Sequence, residues 1–380
     1  MKVLIAAGGT GGHVNPALAV AGEIKKQYPD AEICFVGTPD RIESKIVPAA
    51  GYPLKTIEIS GFKRSFSPAA IKANIKTVTR LLKSSGSVKK IINEFNPDVA
   101  VGFGGYVSGP VIRMAAKMGI PTAVHEQNAY PGVTNKALAE KVDAVMLTAE
   151  EAKNHMKFRN DPILTGLPVR GELLEADPQT SRKELGFNDD PIILCMGGSL
   201  GAKVINEAIV EYLVKNKDKK INFMISTGQN GLWVPDKLKE AGIDPEKYPN
   251  IKIRTYIDDM ARCLSAADLV ICRAGASSLS EIQALGKPSI LIPSPNVTEN
   301  HQFHNAMALV NKGAAVLIED KDLNGETLGK EIGKFMDDKN LLASVGENAR
   351  RMAVTDASQR ICSIVVGLIK NNINIFTARA

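Results

Sequence analysis

The chain begins with a continuous apolar run, Val3-Leu4-Ile5-Ala6-Ala7, that passes straight into Gly8-Gly9-Thr10-Gly11-Gly12-His13-Val14-Asn15-Pro16. Five apolar residues without alternation read as a strand buried on both faces of a parallel sheet. The following segment, Ala17 to Ile24, carries apolar residues at helical spacing. Asn15 suits a helix N-cap and Pro16 a first helical turn, so a helix is expected to start there. Strand, glycine loop and helix in that order point to an α/β fold. Without Cβ atoms the loop amides can approach a ligand closely, and a helix N-terminus favours an anion. A turn that only reverses the chain is the plainer reading. Four glycines around a threonine, followed by a histidine, favour the ligand-binding one.

The same alternation runs through the chain. Apolar runs at Ile33–Val36, Thr56–Ile59, Val99–Val101, Thr122–Val124, Ala144–Leu147 and Ile163–Thr165 are separated by helix-length segments. A second series follows at Ile192–Met196, Phe223–Ser226, Ile251–Arg254, Leu269–Cys272, Ser289–Ile292 and Ala315–Ile318. This is the pattern of βαβ units and parallel sheets. A length of 380 residues is too great for one ordinary core, so two tandem sheets are expected. An internal echo agrees: Ile193-Leu194-Cys195-Met196-Gly197-Gly198-Ser199-Leu200-Gly201 repeats the design of residues 5–11, with Ser199 in the place of Thr10. Each half would then carry a phosphate-type loop at the carboxyl end of its first strand. The expected division is 1–166 and 167–354, with the linker in Gly166-Leu167-Pro168-Val169-Arg170-Gly171. A helix at about 355–370 is expected to pack back on the first domain.

Several classes are disfavoured. Neither loop is a dinucleotide fingerprint: Val14 stands where a third glycine belongs, and the second strand ends Phe35-Val36-Gly37 without an acidic residue. No GxxxxGK[ST] occurs. No apolar run reaches the roughly 18–20 residues that span a bilayer, and no signal peptide precedes the first strand. The five cysteines are scattered and lack a CxxC pair, which points to a reducing compartment and away from zinc. Residues 1–165 hold 21 Lys and Arg against 14 Asp and Glu, so the net +6 of the chain belongs to its first half. Such asymmetry points to an anionic partner there.

Residues 61–93 concentrate that charge: Lys63, Arg64, Lys72, Lys76, Arg80, Lys83, Lys89 and Lys90, with no acid among them. Ile71, Ile75, Val78 and Leu82 share one helical face. Two readings stay open, an amphipathic helix packed on the sheet and a surface that docks on anionic lipid. Nucleic acid is a third class, but no recognised binding motif accompanies the patch. Further polar segments follow strands, at Gly102-Phe103-Gly104-Gly105-Tyr106-Val107-Ser108-Gly109-Pro110, at His125-Glu126-Gln127-Asn128 and at Pro131-Gly132-Val133-Thr134-Asn135. Strand carboxyl ends are where open α/β sheets bind ligands. In the second half Arg273-Ala274-Gly275-Ala276-Ser277-Ser278-Leu279-Ser280-Glu281 follows a strand. Ser278 and Glu281 fit a capping box, and Glu281 equally fits a carboxylate that accepts from a ribose diol. Gln302 and Asn305 suit sugar hydroxyls because an amide both donates and accepts. His301 and His304 lack a third ligand, so no metal site is expected. Asp320-Lys321-Asp322 has a DxD form but reads as a solvated loop.

Taken in order, GGTGGHVNPALAVA, GFGGYVSGP, HEQNAYPGVTN, GGSLGAKVIN, RAGASSLSE and NHQFHNA closely resemble the MurG family of bacterial peptidoglycan N-acetylglucosaminyltransferases, from residue 1 to about residue 365. The resemblance implies a GT-B fold, with two Rossmann-like domains whose parallel sheets face a central cleft. It implies transfer of GlcNAc from UDP-GlcNAc to the C4 hydroxyl of MurNAc in undecaprenyl-pyrophosphoryl-MurNAc-pentapeptide (lipid I), inverting the anomeric centre and giving lipid II. The second domain would hold the donor, the first the acceptor. Carried over by motif, Thr10, Gly11, Gly12, Asn128, Arg170 and Ser199 would bind the nucleotide sugar. The backbone of Ile257 would meet uracil. Ala276, Ser277, Ser278, Leu279, Ser280 and Glu281 would line ribose and diphosphate, and Gln302 would read GlcNAc hydroxyls. No cofactor would be obligatory, though divalent cations could stimulate. The enzyme would sit on the cytoplasmic face of the bacterial membrane, docked through 61–93 and near other cell-wall synthesis proteins. One departure stands out: Leu167 occupies a position where the family usually has asparagine.

Inverting transfer needs a base for the acceptor hydroxyl. His13 is the first candidate, since an imidazole titrating near about 6.5 is largely neutral at cytosolic pH. Phosphate binding or a helix-start hydrogen bond is the plainer role for it. Glu126 and Tyr106 are the fallback candidates. The competing classes are another GT-B enzyme, such as a UDP-GlcNAc 2-epimerase, and a nucleotide-sugar binding module without activity.

Overall fold

The computed structural model describes residues 1–59 and 85–370. Among these the chain divides into two compact units, Met1–Pro168 with Asp356 onward, and Val169–Thr355.

The first unit is built on strands β1 (Lys2–Ala6), β2 (Glu32–Gly37), β3 (Leu54–Thr56), β4 (Val99–Gly102), β5 (Thr122–Glu126), β6 (Ala144–Leu147) and β7 (Ile163–Leu164). All pairings are parallel, in the order β3-β2-β1-β4-β5-β6-β7. Side chains alternate across the sheet. Val3 and Ile5 face a core formed with the helix Gly11–Gln27, and Leu4 and Ala6 face another formed with the helix Gly105–Lys117. The helix Ala357–Ile369 joins the first of these cores through Ile361, Cys362, Ile364, Val365, Val366 and Leu368. Burying an aliphatic side chain contributes about 1.5–3 kcal/mol. The returning helix therefore matters on the scale of a domain's whole net stability, about 5–15 kcal/mol.

The second unit repeats the plan with β8 (Ile192–Met196), β9 (Asn222–Ser226), β10 (Ile251–Arg254), β11 (Leu269–Cys272), β12 (Ser289–Leu291) and β13 (Val316–Leu317). Its order is β10-β9-β8-β11-β12-β13, again parallel. In each sheet the strand order turns back beside the first strand, between β1 and β4 and between β8 and β11. Ligand crevices form at such switch points, outside the strand carboxyl ends. The glycine segments at 8–12, 102–105 and 197–201 lie at the carboxyl ends of three of these four strands, β1, β4 and β8. The cysteines Cys34, Cys195, Cys263, Cys272 and Cys362 are free thiols, all buried.

Some local expectations change. β3 ends at Thr56, with one last ladder bond from the Ile57 N–H to the Gly37 carbonyl, and Ile57 is buried. The first helix begins at Gly11 with Thr10 as its N-cap, leaving Asn15 and Pro16 inside it. The N–H groups of His13 and Val14 already donate to the Thr10 carbonyl, at 3.1 and 3.2 Å, so helical bonding starts in the glycine loop itself. The echo between the two loops is correspondingly partial. Thr10 touches its helix, whereas Ser199 precedes by several residues the helix Lys203–Asn216, whose N-cap is Ala202.

Of the basic stretch 61–93, residues 61–84 lie outside the described part, including Lys63, Arg64, Lys72, Lys76, Arg80 and Lys83. The remainder belongs to a helix over 85–95. There Val88, Ile91 and Ile92 are buried on the sheet and Lys89 and Lys90 face solvent. Over those residues the packed amphipathic helix is what forms. Among the described residues no helix is long and apolar enough to cross a membrane.

Candidate active site

In the first unit two glycine loops meet. Gly9 sits at φ +90°. Gly8 offers its carbonyl to His13 Nδ1 at 3.1 Å, and Thr10 Oγ1 lies 3.2 Å from the same nitrogen. A carbonyl can only accept, so this contact assigns the proton to Nδ1 and, in the neutral ring, the lone pair to Nε2. The ring lies against Gly104, at φ +92°, where a Cβ would run into His13 Cδ2 and Nε2. Gly105, at φ +77°, lies against the Gly8 carbonyl. The loop after β4 thus supports the loop after β1 only because both positions lack side chains. Tyr106 follows, 57% exposed.

Glu126 takes a different part from the one expected. It is buried, and its two oxygens accept from Asn128 N and Nδ2 at 2.9 and 3.2 Å, Gly132 N at 3.1 Å and Asn135 Nδ2 at 2.8 Å. Four donors occupy this carboxylate, so it holds the 127–135 loop and presents Asn128. It is poorly placed to remove a proton from a substrate. His125 is also internal: its Nε2 lies 2.9 Å from the Gly166 carbonyl, and burial pulls its pKa down to about 4 although that carbonyl holds it up. Leu167 is buried at 1% exposure, so the side chain that departs from the family pattern goes into the interior.

In the second unit the loop after β8 opens a cleft of about 680 Å³, lined among others by Ser199, Arg273, Gly275, Ser278, Gln302 and Asp320. The helix Ala276–Leu285 follows β11, with Gly275 as its N-cap and no side-chain cap. The amides of Ala276, Ser277 and Ser278 therefore stay open at its first turn, an arrangement suited to an anion. Leu279 and Ser280 differ: both side chains are buried, and the Leu279 amide already donates to the Gly275 carbonyl. Ser278 is the third helical residue, so the capping box does not form. Glu281 instead receives Arg170 Nε at 2.8 Å and Nη2 at 2.7 Å, both on Oε1. Burial raises the Glu281 pKa and Arg170 opposes it. Oε2 remains as an acceptor for a diol.

Gln302 accepts the Ser294 N–H on its Oε1 at 2.9 Å, which leaves its NH₂ to face a ligand as donor alone. Asn305 is buried and donates to the Ala274 carbonyl at 3.2 Å, so it braces the site instead of reading a sugar. The side chain of Ile257 is buried at 3% exposure. Asp320 is not the solvated acid expected. It pairs with Arg273, whose Nη1 also donates to the Ile292 and Pro293 carbonyls at 3.1 and 3.2 Å. Sequence reasoning quoted Arg273 within its motif but gave it no part. Its acid lies 47 residues away, and only the parallel order of β11, β12 and β13 brings the two together. Among the described residues no group of three His, Cys, Asp or Glu side chains is placed to hold a metal ion.

Comparison with known proteins identifies the family. The glycosyltransferase family 28 N-terminal domain matches residues 3–147, and the glycosyltransferase family 28 C-terminal domain matches residues 192–361. The UDP-N-acetylglucosamine–N-acetylmuramyl-(pentapeptide) pyrophosphoryl-undecaprenol N-acetylglucosamine transferase of Acetivibrio thermocellus is 44% identical over 372 residues, 98% of this chain and 99% of its own. The transferase of the same name from Thermoanaerobacter sp. is 44% identical over 367 residues, 96% and 99% of the two chains. The crystal structure of Acinetobacter baumannii MurG superposes with a TM-score of 0.77 at 29% identity, covering 96% of this chain and 99% of that one. Similarity at this level, over nearly the whole of both chains, means that this protein is a glycosyltransferase of the MurG family.

Proposed function

We infer that the protein transfers GlcNAc from UDP-GlcNAc to the C4 hydroxyl of MurNAc in lipid I, forming lipid II. The observation that carries this reading is the cleft of the second unit. Open first-turn amides at Ala276 to Ser278 suit a diphosphate, and the Arg170–Glu281 pair beside them suits a ribose. Gln302 offers a donor to a sugar hydroxyl, and Ser199, on the exposed loop after β8, lies within reach of the same ligand. The departing UDP gains its negative charge where helix-end amides are already oriented, so the reaction requires no obligatory metal. The first unit binds the acceptor, and His13 Nε2 takes the proton of its hydroxyl. Thr10, Gly11, Gly12 and Asn128 complete the nucleotide-sugar contacts in this reading.

The test is an incubation with labelled UDP-GlcNAc and a short-chain lipid I analogue, with and without chelator. Label is expected in the organic-extractable fraction only when acceptor is present, and at an unchanged rate with chelator. Conversion of UDP-GlcNAc without acceptor would instead assign an epimerase. Binding without any conversion would assign a non-catalytic module.

The acceptor's undecaprenyl chain favours work at a membrane surface on the cytoplasmic side. The basic, apolar stretch 61–93 has the chemistry to dock there through lysines on phosphates and aliphatic side chains in the interface. Pelleting with anionic vesicles is expected, and its loss when Lys72, Lys76 and Arg80 are changed to glutamate. Pelleting unaffected by those changes would place the docking face elsewhere.

A further inference from the structure

Glu43 begins the short helix Glu43–Ala49 and is fully buried, at 0% exposure. Its described partners are three donors and no cation. Oε2 accepts the Gly9 N–H at 3.0 Å, and Oε1 accepts the Thr38 N–H at 3.0 Å and the Thr38 hydroxyl at 2.7 Å. Burying a carboxylate is costly even when it is hydrogen-bonded, and an apolar side chain of the same volume would fill the space without that cost. Two glycines make room for it. A Cβ on Gly8 would run into Glu43 Oε1, and a Cβ on Gly37 into Glu43 Cγ. Neither glycine has a positive φ, so space, not backbone conformation, is what the missing side chains supply.

The bond to Gly9 has a specific consequence. The Gly9 N–H and the Gly8 C=O belong to one planar peptide group. Glu43 holds the N–H side of that group, and His13 Nδ1 is bonded to the C=O side at 3.1 Å. Fixing the N–H fixes the direction of the carbonyl. A negative charge on the N–H also polarises the group, so that its oxygen accepts more strongly.

We propose that Glu43 is a positioning residue for His13, acting through the Gly8–Gly9 peptide to hold the imidazole ring in place with its Nδ1 on the Gly8 carbonyl. The arrangement is a carboxylate–histidine pair with one peptide group inserted between its members. This rests on the reading of His13 as the base.

The test compares Glu43→Gln, Thr38→Val, His13→Ala and the double variant of Glu43 and His13 in the intact enzyme, measuring kcat, the KM for UDP-GlcNAc, UDP affinity by calorimetry and thermal melting. Glu43→Gln keeps the shape but must turn an NH₂ toward one of the backbone donors. It is expected to lower kcat by about 10–100-fold, with the KM and UDP affinity within about twofold. In the His13→Ala background the same change is expected to alter the residual rate by less than about twofold, because the two residues act as one unit. Thr38→Val removes only the hydroxyl bond and is expected to lower kcat by about 3–10-fold with the same split. If Glu43→Gln does not fold, Thr38→Val decides alone. Unchanged kcat in the folded variants, or losses that multiply with that of His13→Ala, would overturn the proposal. Near-normal turnover of His13→Ala would overturn the reading of the base, whereas an inactive His13→Ala with a normal Glu43→Gln would overturn only the role given to Glu43.

Discussion

His13→Ala is expected to lower kcat by about 10²–10⁴-fold, the range supplied by a positioned general base. UDP affinity is expected to stay within about twofold, because the diphosphate and ribose contacts proposed above come from the second unit. Kinetics separate this role from phosphate binding. A histidine that only contacted phosphate would act as a donor, and its removal would raise the KM while kcat changed little. In the structure His13 Nδ1 is held by the Gly8 carbonyl. Gly104 gives the ring its place, since any Cβ there would run into it. Steady-state kinetics at saturating acceptor check the expectation. A variant with near-wild-type kcat and a raised KM would make His13 a binding residue.

The second large effect is expected at Gly201. It sits at φ +80°, and a Cβ there would enter the Thr227 carbonyl and crowd Gly228. Gly228, at φ +69°, faces the reciprocal clash with the backbone of Gly201. Backbone cannot swing aside as a side-chain tip can, so Gly201→Ala must move one loop off the other. Overpacking costs about 1–3 kcal/mol, and the left-handed backbone adds about 1–2 kcal/mol for a residue with a Cβ. The displaced segment carries Ser199 and lines the donor cleft. UDP affinity is expected to fall by more than about tenfold, alongside a lower melting temperature. Gly198 is the control. It too has a positive φ, +87°, but a Cβ there would meet nothing within 4 Å. Gly198→Ala is expected to cost only the backbone penalty in melting temperature. Equal falls in melting temperature for the two variants would mean that strain and not steric contact governs the loop.

The alternation of apolar runs made both parallel sheets legible, because a strand buried on two faces needs no partner to be recognised. The glycine loops were legible for the same reason, since their composition is local. Helix starts were less so. Asn15 and Pro16 are good start residues, yet the helix begins at Gly11, because the Thr10 carbonyl already accepts from the His13 and Val14 N–H groups. Glu281 has capping-box spacing but serves Arg170, 111 residues away. Asn305 and Gln302 are both amides on one helix, and only the structure shows that the first is turned inward and the second outward. Glu43 drew no notice in the sequence. Its partners, Gly9 and Thr38, become neighbours only when β1 and β2 pair in parallel. Residues 60–84 lie outside the described part, so the proposed membrane-docking segment rests on composition.

The helix Ala357–Ile369 closes the core of the first unit, although the whole second unit lies between it and β7 in the chain. On the ribosome, β1 to β7 and the helix Gly11–Gln27 emerge early, with Val20, Ala21 and Ile24 on a face whose cover is still to be made. The second unit, continuous from Val169 to Thr355, can fold completely in the interval. Synthesis therefore finishes the later unit first.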